Sequence, residues 1–222
     1  AGVEVQTTQS ARVGADYLAR ASHYRRQRSI DDFTFPALFA RRAKACRETY
    51  GWTDEDLAHV SVKAYANANK NKNAHMHMTK MTFEEAREAS DRNPCFIVNE
   101  DLAPFMKVSD CSQVSDGASA ILLVSVMGLA KLGRVQSDTA EIVSSGHAVA
   151  SLYEDADPTE LLTTRIAVHR AYEGAGIGHG DLGVAEVHDC FTITELMMYE
   201  ALGLADRGQA PALARDGVTA LS

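Results

Sequence analysis

No run of about 18 apolar residues occurs in the sequence, so no membrane-spanning helix is expected. The N-terminus, Ala1-Gly2-Val3-Glu4-Val5, is neither a signal nor a transit peptide. An initiator Met is missing as well, which is expected of a chain that starts inside a longer protein. Positive charge is short: 22 Lys and Arg face 30 Asp and Glu, for a net charge of −8. That balance argues against a nucleic-acid partner, because such binders usually carry a basic face. An anionic small ligand on a local basic cluster is still compatible with it. The four cysteines, Cys46, Cys95, Cys111 and Cys190, form no CxxC pair and no disulfide-like cluster. Free thiols in a reducing compartment are expected. No internal repeat is detectable.

What remains is ordinary in bulk: 45% hydrophobic and 23% charged residues over 222 positions. Such a chain buries a real core and makes one large domain or two small ones. Its information lies in a few stretches. The first is Val184-Ala185-Glu186-Val187-His188-Asp189-Cys190-Phe191 and the run behind it. Gly183 to Val187 reads as a short buried strand. Thr192, with Glu195 three residues on, has capping-box spacing, and Leu196, Met197, Tyr199, Glu200, Leu202 and Leu204 continue at helical period up to a stop at Gly203. An imidazole and a thiol are thereby expected at the carboxyl end of a strand and the amino end of a helix. Ligands bind at that edge of open α/β sheets, and the helix terminus favours a thiolate or an oxyanion. Local chemistry alone also allows a packed thiol beside a surface histidine.

The second stretch is Asp110-Cys111-Ser112-Gln113-Val114-Ser115-Asp116-Gly117-Ala118-Ser119-Ala120, followed by Ile121 to Val124. Asp116-Gly117 predicts a turn, the small residues allow close backbone packing, and the apolar run reads as a strand covered on both faces. Cys111 reads most simply as a structural buried thiol. Thr139 to Val143 is a further apolar strand, and Asp157-Pro158-Thr159 opens a helix that runs to about Glu173. The order strand, helix, strand, helix predicts a βαβ crossover and a largely parallel sheet. Upstream, helices are predicted over 7–24, over 35–50 with a stop at Gly51, from the Thr53 cap to about Ala68, over 82–90 with a Thr82/Glu85 capping box, and over 126–133.

Two polar clusters bear on ligands. Arg25, Arg26 and Arg28 concentrate positive charge in an acidic chain, as either a solvated face or a phosphate contact. His75-Met76-His77-Met78 offers soft ligands to copper or zinc, but no Cys or acidic partner stands at ligand spacing. A His/Met metal-binding module centred there is a rival reading of different class.

His188-Asp189-Cys190-Phe191 with its helix resembles the His-Asp-Cys-Phe loop of thiolases of the sterol-carrier-protein type, and Asp110 to Val124 resembles the stretch that closes the first half of that fold. Ala74-His75-Met76 is similar to a segment of the family's loop domain, which shapes the coenzyme A pocket. The resemblance spans nearly the whole chain. It implies an α/β thiolase fold of layered αβαβα type, with mixed sheets covered by helices and an inserted, mainly helical loop domain. The domains would be 1–45 (end of the N-terminal half), 46–106 (loop domain), 107–125 (last strand of that half) and 126–222 (first part of the C-terminal half). It implies acyltransfer on 3-oxoacyl-CoA or acetyl-CoA through a cysteine acyl-enzyme, in lipid metabolism. His188 would help form an oxyanion hole for the thioester, and Cys190 would be the acid/base. Arg25, Arg26, Arg28, Lys70 or Lys72 would meet the phosphates, a choice made from charge. Coenzyme A would be substrate and product, with no metal or redox cofactor. A dimeric or tetrameric homo-oligomer is implied, in mitochondria, peroxisomes or bacterial cytoplasm. The family's nucleophile in a Cys-Ala-Ser-Gly-like context and its Gly-His-Pro-x-Gly base motif have no counterpart in these residues, so the chain is expected to be a central portion, inactive alone. A thiolase-like protein that binds acyl-CoA without turnover is the nearer rival.

Overall fold

The computed structural model describes residues 1–152 and 156–221. Residues 153–155 and 222, which fall in the segment 126–222 read above as C-terminal, lie outside the described residues. Strand β1 (Gly2–Glu4) precedes helices α1 (Ala11–Ala19), α2 (Tyr24–Gln27), α3 (Thr34–Tyr50), α4 (Asp54–Lys70) and α5 (Phe83–Arg87). After β2 (Gly117–Ser119) come α6 (Val126–Lys131), α7 (Leu162–Ala175), α8 (Thr192–Ala201) and α9 (Ala210–Arg215).

Caps decide the helix limits. Gly51 closes α3 at φ +73°, a left-handed conformation that glycine adopts without a Cβ penalty. Thr53 and Asp56 form a reciprocal capping box at the start of α4, and Thr82 and Glu85 do so for α5. The helix predicted over 7–24 is broken instead. Ser22 donates its hydroxyl to the Ala19 carbonyl at 2.6 Å, satisfying the end of α1 before α2 begins. The helix expected from Asp157 starts later, at Leu162, because Asp157 turns its carboxylate back onto the Thr159 N–H at 2.8 Å and hydroxyl at 2.6 Å.

The core lies among α3, α4 and α8. Ala37, Ala40, Ala43 and Cys46 give α3 a small-residue face, against which Leu57 and Val60 of α4 and Ile193, Leu196 and Met197 of α8 pack. Full burial of each large side chain stabilises the fold by about 2 kcal/mol. Inside this layer Lys63 of α4 pairs with Glu195 of α8 and reaches the Tyr199 hydroxyl at 2.9 Å, which in turn meets Thr219 at 2.8 Å. Trp52 donates its indole N–H to the Gly208 carbonyl at 3.1 Å, drawing the chain before α9 onto the core.

The sheet differs from expectation. Among the described residues the named strands are β1 and β2, which pair antiparallel with Gly2 opposite Ser119, rather than as a parallel βαβ set. Asp116 holds this corner by accepting from the Gln6 N–H at 2.7 Å and the Thr7 N–H at 2.9 Å. The strands predicted at Ile121–Val124, Thr139–Val143 and Gly183–Val187 carry no ladder; Ile121 is 81%, Ile142 71% and Val184 71% exposed. Strands apolar on both faces need neighbours in the sheet and helices on each side, and the described residues supply neither. No helix among the described residues is long and apolar enough to cross a membrane.

Candidate active site

The two stretches singled out in the sequence meet in space. Cys111 and Phe191 form an isolated antiparallel bridge, and the Ser112 N–H donates to the Cys190 carbonyl at 3.0 Å. Phe191 is buried and stacks on Phe39 of α3 with ring centroids 4.4 Å apart. The turn carrying Cys190 is thus pinned on one side by a backbone bond and on the other by an aromatic anchor.

Helix α8 begins one residue after Phe191, and that phenylalanine, rather than Thr192, occupies the N-cap. The predicted Thr192/Glu195 capping box does not form, because Glu195 is drawn down to Lys63 and Tyr199. Thr192 instead gives its hydroxyl to Asp110 at 3.3 Å. Asp110 is buried, and its other oxygen takes the Lys107 N–H at 2.8 Å and ammonium at 3.0 Å. Burial works against the charge on Lys107, but Asp110 and Asp54 outweigh it and raise its pKa.

The Cys190 thiol is half-buried, with Sγ 3.8 Å from the Thr194 hydroxyl. The helix terminus was expected to lower its pKa. It is raised instead: burial dominates, the Thr194 contact pulls it down, and the Asp189 carboxylate pushes it up. Cys190 therefore rests as a thiol at neutral pH. His188 stands exposed on the same turn.

Beside this turn lies a cavity of about 260 Å³. Val60, Ala64, Tyr65 and Ala68 of α4 form an apolar wall, and Ser112, Ser115, Asp189 and Thr192 a polar one. His75 and Met76 also face it, and His75 Nδ1 is 2.5 Å from the Ser115 hydroxyl. Neither His188 nor Cys190 lines the cavity itself, though both neighbours of the Cys190–Phe191 pair, Asp189 and Thr192, do.

The basic candidates divide. Lys70 and Lys72 sit between Ala68 and Ala74, which both line the cavity, and the Lys70 ammonium reaches the Leu221 carbonyl at 3.3 Å. Arg25, Arg26 and Arg28 lie at α2, outside the cavity lining. Arg28 spends its guanidinium on Asp16 at 2.9 Å and the Asp31 carbonyl at 3.3 Å. His77 turns Nδ1 to the Ala74 carbonyl at 3.1 Å, and among the described residues no three His, Cys, Asp or Glu side chains group to hold a metal. Sequence reasoning missed Asp110, Lys107 and Tyr65 as parts of the site; the i,i+3 spacing of Lys107 and Asp110 was the available signal for the first two.

Residues 144–222 match the family described as thiolase C-terminal domain-like. Over 222 residues the chain is 31% identical to an acetyl-CoA acetyltransferase of Methanothermobacter thermautotrophicus, an alignment covering 99% of this chain and 53% of that one. The chain belongs to the thiolase superfamily. The chain is also 31% identical to sterol carrier protein 2 of Rattus norvegicus over 187 residues, covering 82% of this chain and 32% of the relative. It spans between about a third and about half the length of these curated relatives. Its fold matches a solved Ltp2-ChsH2(DUF35) aldolase at a TM-score of 0.64 and 24% identity, covering 83% of this chain and 46% of that one. The α/β thiolase fold is therefore present, with most of its regular structure here in helices.

Proposed function

We propose that this chain forms part of a thiolase-type acyltransferase site, cleaving 3-oxoacyl-CoA thiolytically or condensing acetyl-CoA units, with coenzyme A as substrate and product. One observation carries the reading: the 109–115 segment and the His188–Phe191 turn converge at the head of α8 beside a cavity with one apolar and one polar wall. A thioester arm suits that division, with its apolar part on α4 and its amides and carbonyl on Ser112, Ser115 and the turn.

Cys190, protonated at rest, is assigned to give a proton to the enolate of a departing acetyl thioester and to recover it from the incoming thiol. His188 is assigned to the thioester oxygen as its charge grows. Lys70 and Lys72, on the segment between cavity-lining residues, are assigned to the phosphates in preference to the α2 arginines. The acyl-forming nucleophile is not assigned to any of the four cysteines.

The test is acetoacetyl-CoA binding and thiolysis by the protein and its Cys190→Ala variant. Bound acetoacetyl-CoA in both, with thiolysis lost about 100-fold or more in the variant, is expected. Equal turnover removes Cys190 from the mechanism. Binding with no turnover in either favours an acyl-CoA binder, and no binding of any acyl-CoA sinks the reading.

A further inference from the structure

The head of α8 has no side-chain cap of its own, since its N-cap is a phenylalanine. Its first turn is held instead from a segment 82 residues upstream, where Asp110 is 2% exposed and accepts the Thr192 hydroxyl. Behind Asp110 the polar contacts continue without a break. Lys107 lies 3.0 Å from Asp110 and 3.3 Å from Asp54, and Asp54 accepts from Arg47 at 2.8 Å. The chain Arg47, Asp54, Lys107, Asp110, Thr192 thus runs from the end of α3 to the start of α8. The same upstream segment gives the Ser112 N–H to the Cys190 carbonyl, and Thr194, on the turn that Thr192 opens, touches Cys190 Sγ.

A buried ion pair is a poor way to gain stability, because desolvation offsets most of its attraction and apolar residues of the same volume often do as well. What it supplies is direction. A carboxylate with one oxygen committed to an ammonium presents the other along a fixed line, and charge-assisted bonds resist displacement. We propose that Asp110, locked by Lys107, is the positioning residue for Cys190: it fixes the first turn of α8 through Thr192, so that the Thr194 hydroxyl stays on the thiol and the thiol keeps its place on the turn beside the cavity. This rests on the thiolase-type reading of Cys190.

The test uses Thr192→Val, which removes the hydroxyl while keeping the branched shape, Thr192→Ser, which restores it, and Asp110→Asn. The first readout is the pH profile of Cys190 alkylation by iodoacetamide, resolved by peptide mass spectrometry. It needs no turnover. The charged and titratable groups around the thiol are Asp189 on its own turn and Cys111 opposite, and Thr192→Val leaves both in place while removing the bond to Asp110 behind them. The second readout is acetoacetyl-CoA thiolysis, with kcat and KM separated.

Loosening the turn weakens the Thr194 contact that pulls the thiol down. Thr192→Val is therefore expected to move the Cys190 midpoint up by about half a pH unit, and Thr192→Ser to return it. A fall of about tenfold in kcat with KM within about twofold should accompany it. An unchanged profile in Thr192→Val overturns the proposal, whatever becomes of Asp110→Asn. A shifted profile in a protein without thiolysis keeps the positioning role and removes the acyltransferase reading. Thiolysis with neither readout moved by Thr192→Val does the reverse.

Discussion

The cysteines show how far a residue's chemistry is set by what surrounds it. Burial pushes the Cys46 thiol up to about 12, and the same cause, opposed by Thr194 and aided by Asp189, raises Cys190. Cys95 is raised too but stands exposed. At neutral pH iodoacetamide should therefore label Cys95 first, Cys190 more slowly, and Cys46 only after denaturant is added. Thr194→Val should slow Cys190 further, because it removes a contact that lowers the thiol. Peptide-resolved mass spectrometry checks the order, and Cys190 labelling fastest would mean that a thiolate rests there. A second residue-level outcome concerns acid. Thr159, through its hydroxyl and N–H, and then Arg207 hold the Asp157 carboxyl at about 2, below its ordinary 3.8. A depressed carboxyl contributes stability that is present above the unfolded value and lost as pH falls through the folded one. Asp157→Asn should thus melt slightly lower than the parent at pH 7, and the gap should close between about pH 4 and pH 2. Thermal melts across that range test the sign; the site is largely exposed, so the effect is small.

At the scale of elements, the close approach of segment 144–147 to α7 depends on the absence of a side chain. A Cβ on Gly146 would sit 1.8 Å from the Ala167 carbonyl oxygen, and one on Gly174 would meet the Ser144 hydroxyl at 2.4 Å. Gly146→Ala must push the segment off the helix, and limited proteolysis should then cut between residues 139 and 149 faster than in the parent. Gly51→Ala is the contrast: its Cβ meets open space, so only the left-handed backbone is penalised, by about 1 kcal/mol. Equal proteolysis of Gly146→Ala and the parent would deny the contact. These elements also mark what could be read in advance. Helices α3, α4 and α5 were legible because their signals are local: Gly51, Thr53 and the Thr82/Glu85 pair act within a few residues of themselves. The start of α8 was misplaced by one residue because Glu195 answers to Lys63, which is distant in sequence. Helix α9 is short and gave no periodic pattern. The meeting of Cys111 with Phe191 was not legible at all, although both motifs were: spacing along a chain carries no information on which segments cross. The placement of Arg28 on Asp16, twelve residues back, is of the same kind.

At the scale of the whole molecule, a well-filled helical layer is joined to apolar segments that no ladder covers among the described residues. Ile121, Leu122, Leu123 and Val124 are exposed along one stretch, and Ile142, Val143 and Val149 along another. Their unpaired backbone groups and apolar side chains invite strand addition and association. The net charge of −8 opposes close approach of two copies, but only over the Debye length, about 8 Å at physiological salt. Attraction between such segments is short-ranged and survives salt, whereas the repulsion does not. The 222-residue chain should therefore bind a hydrophobic dye, and its weight-average mass in sedimentation should rise with added salt. A Leu122→Lys, Ile142→Lys pair places charge on both stretches without touching the α3–α4–α8 core, so it should lower dye binding and restore the monomer mass while leaving the melting temperature near that of the parent. Association that weakens as salt is raised would assign it to ion pairs, and these segments would then have no part in it.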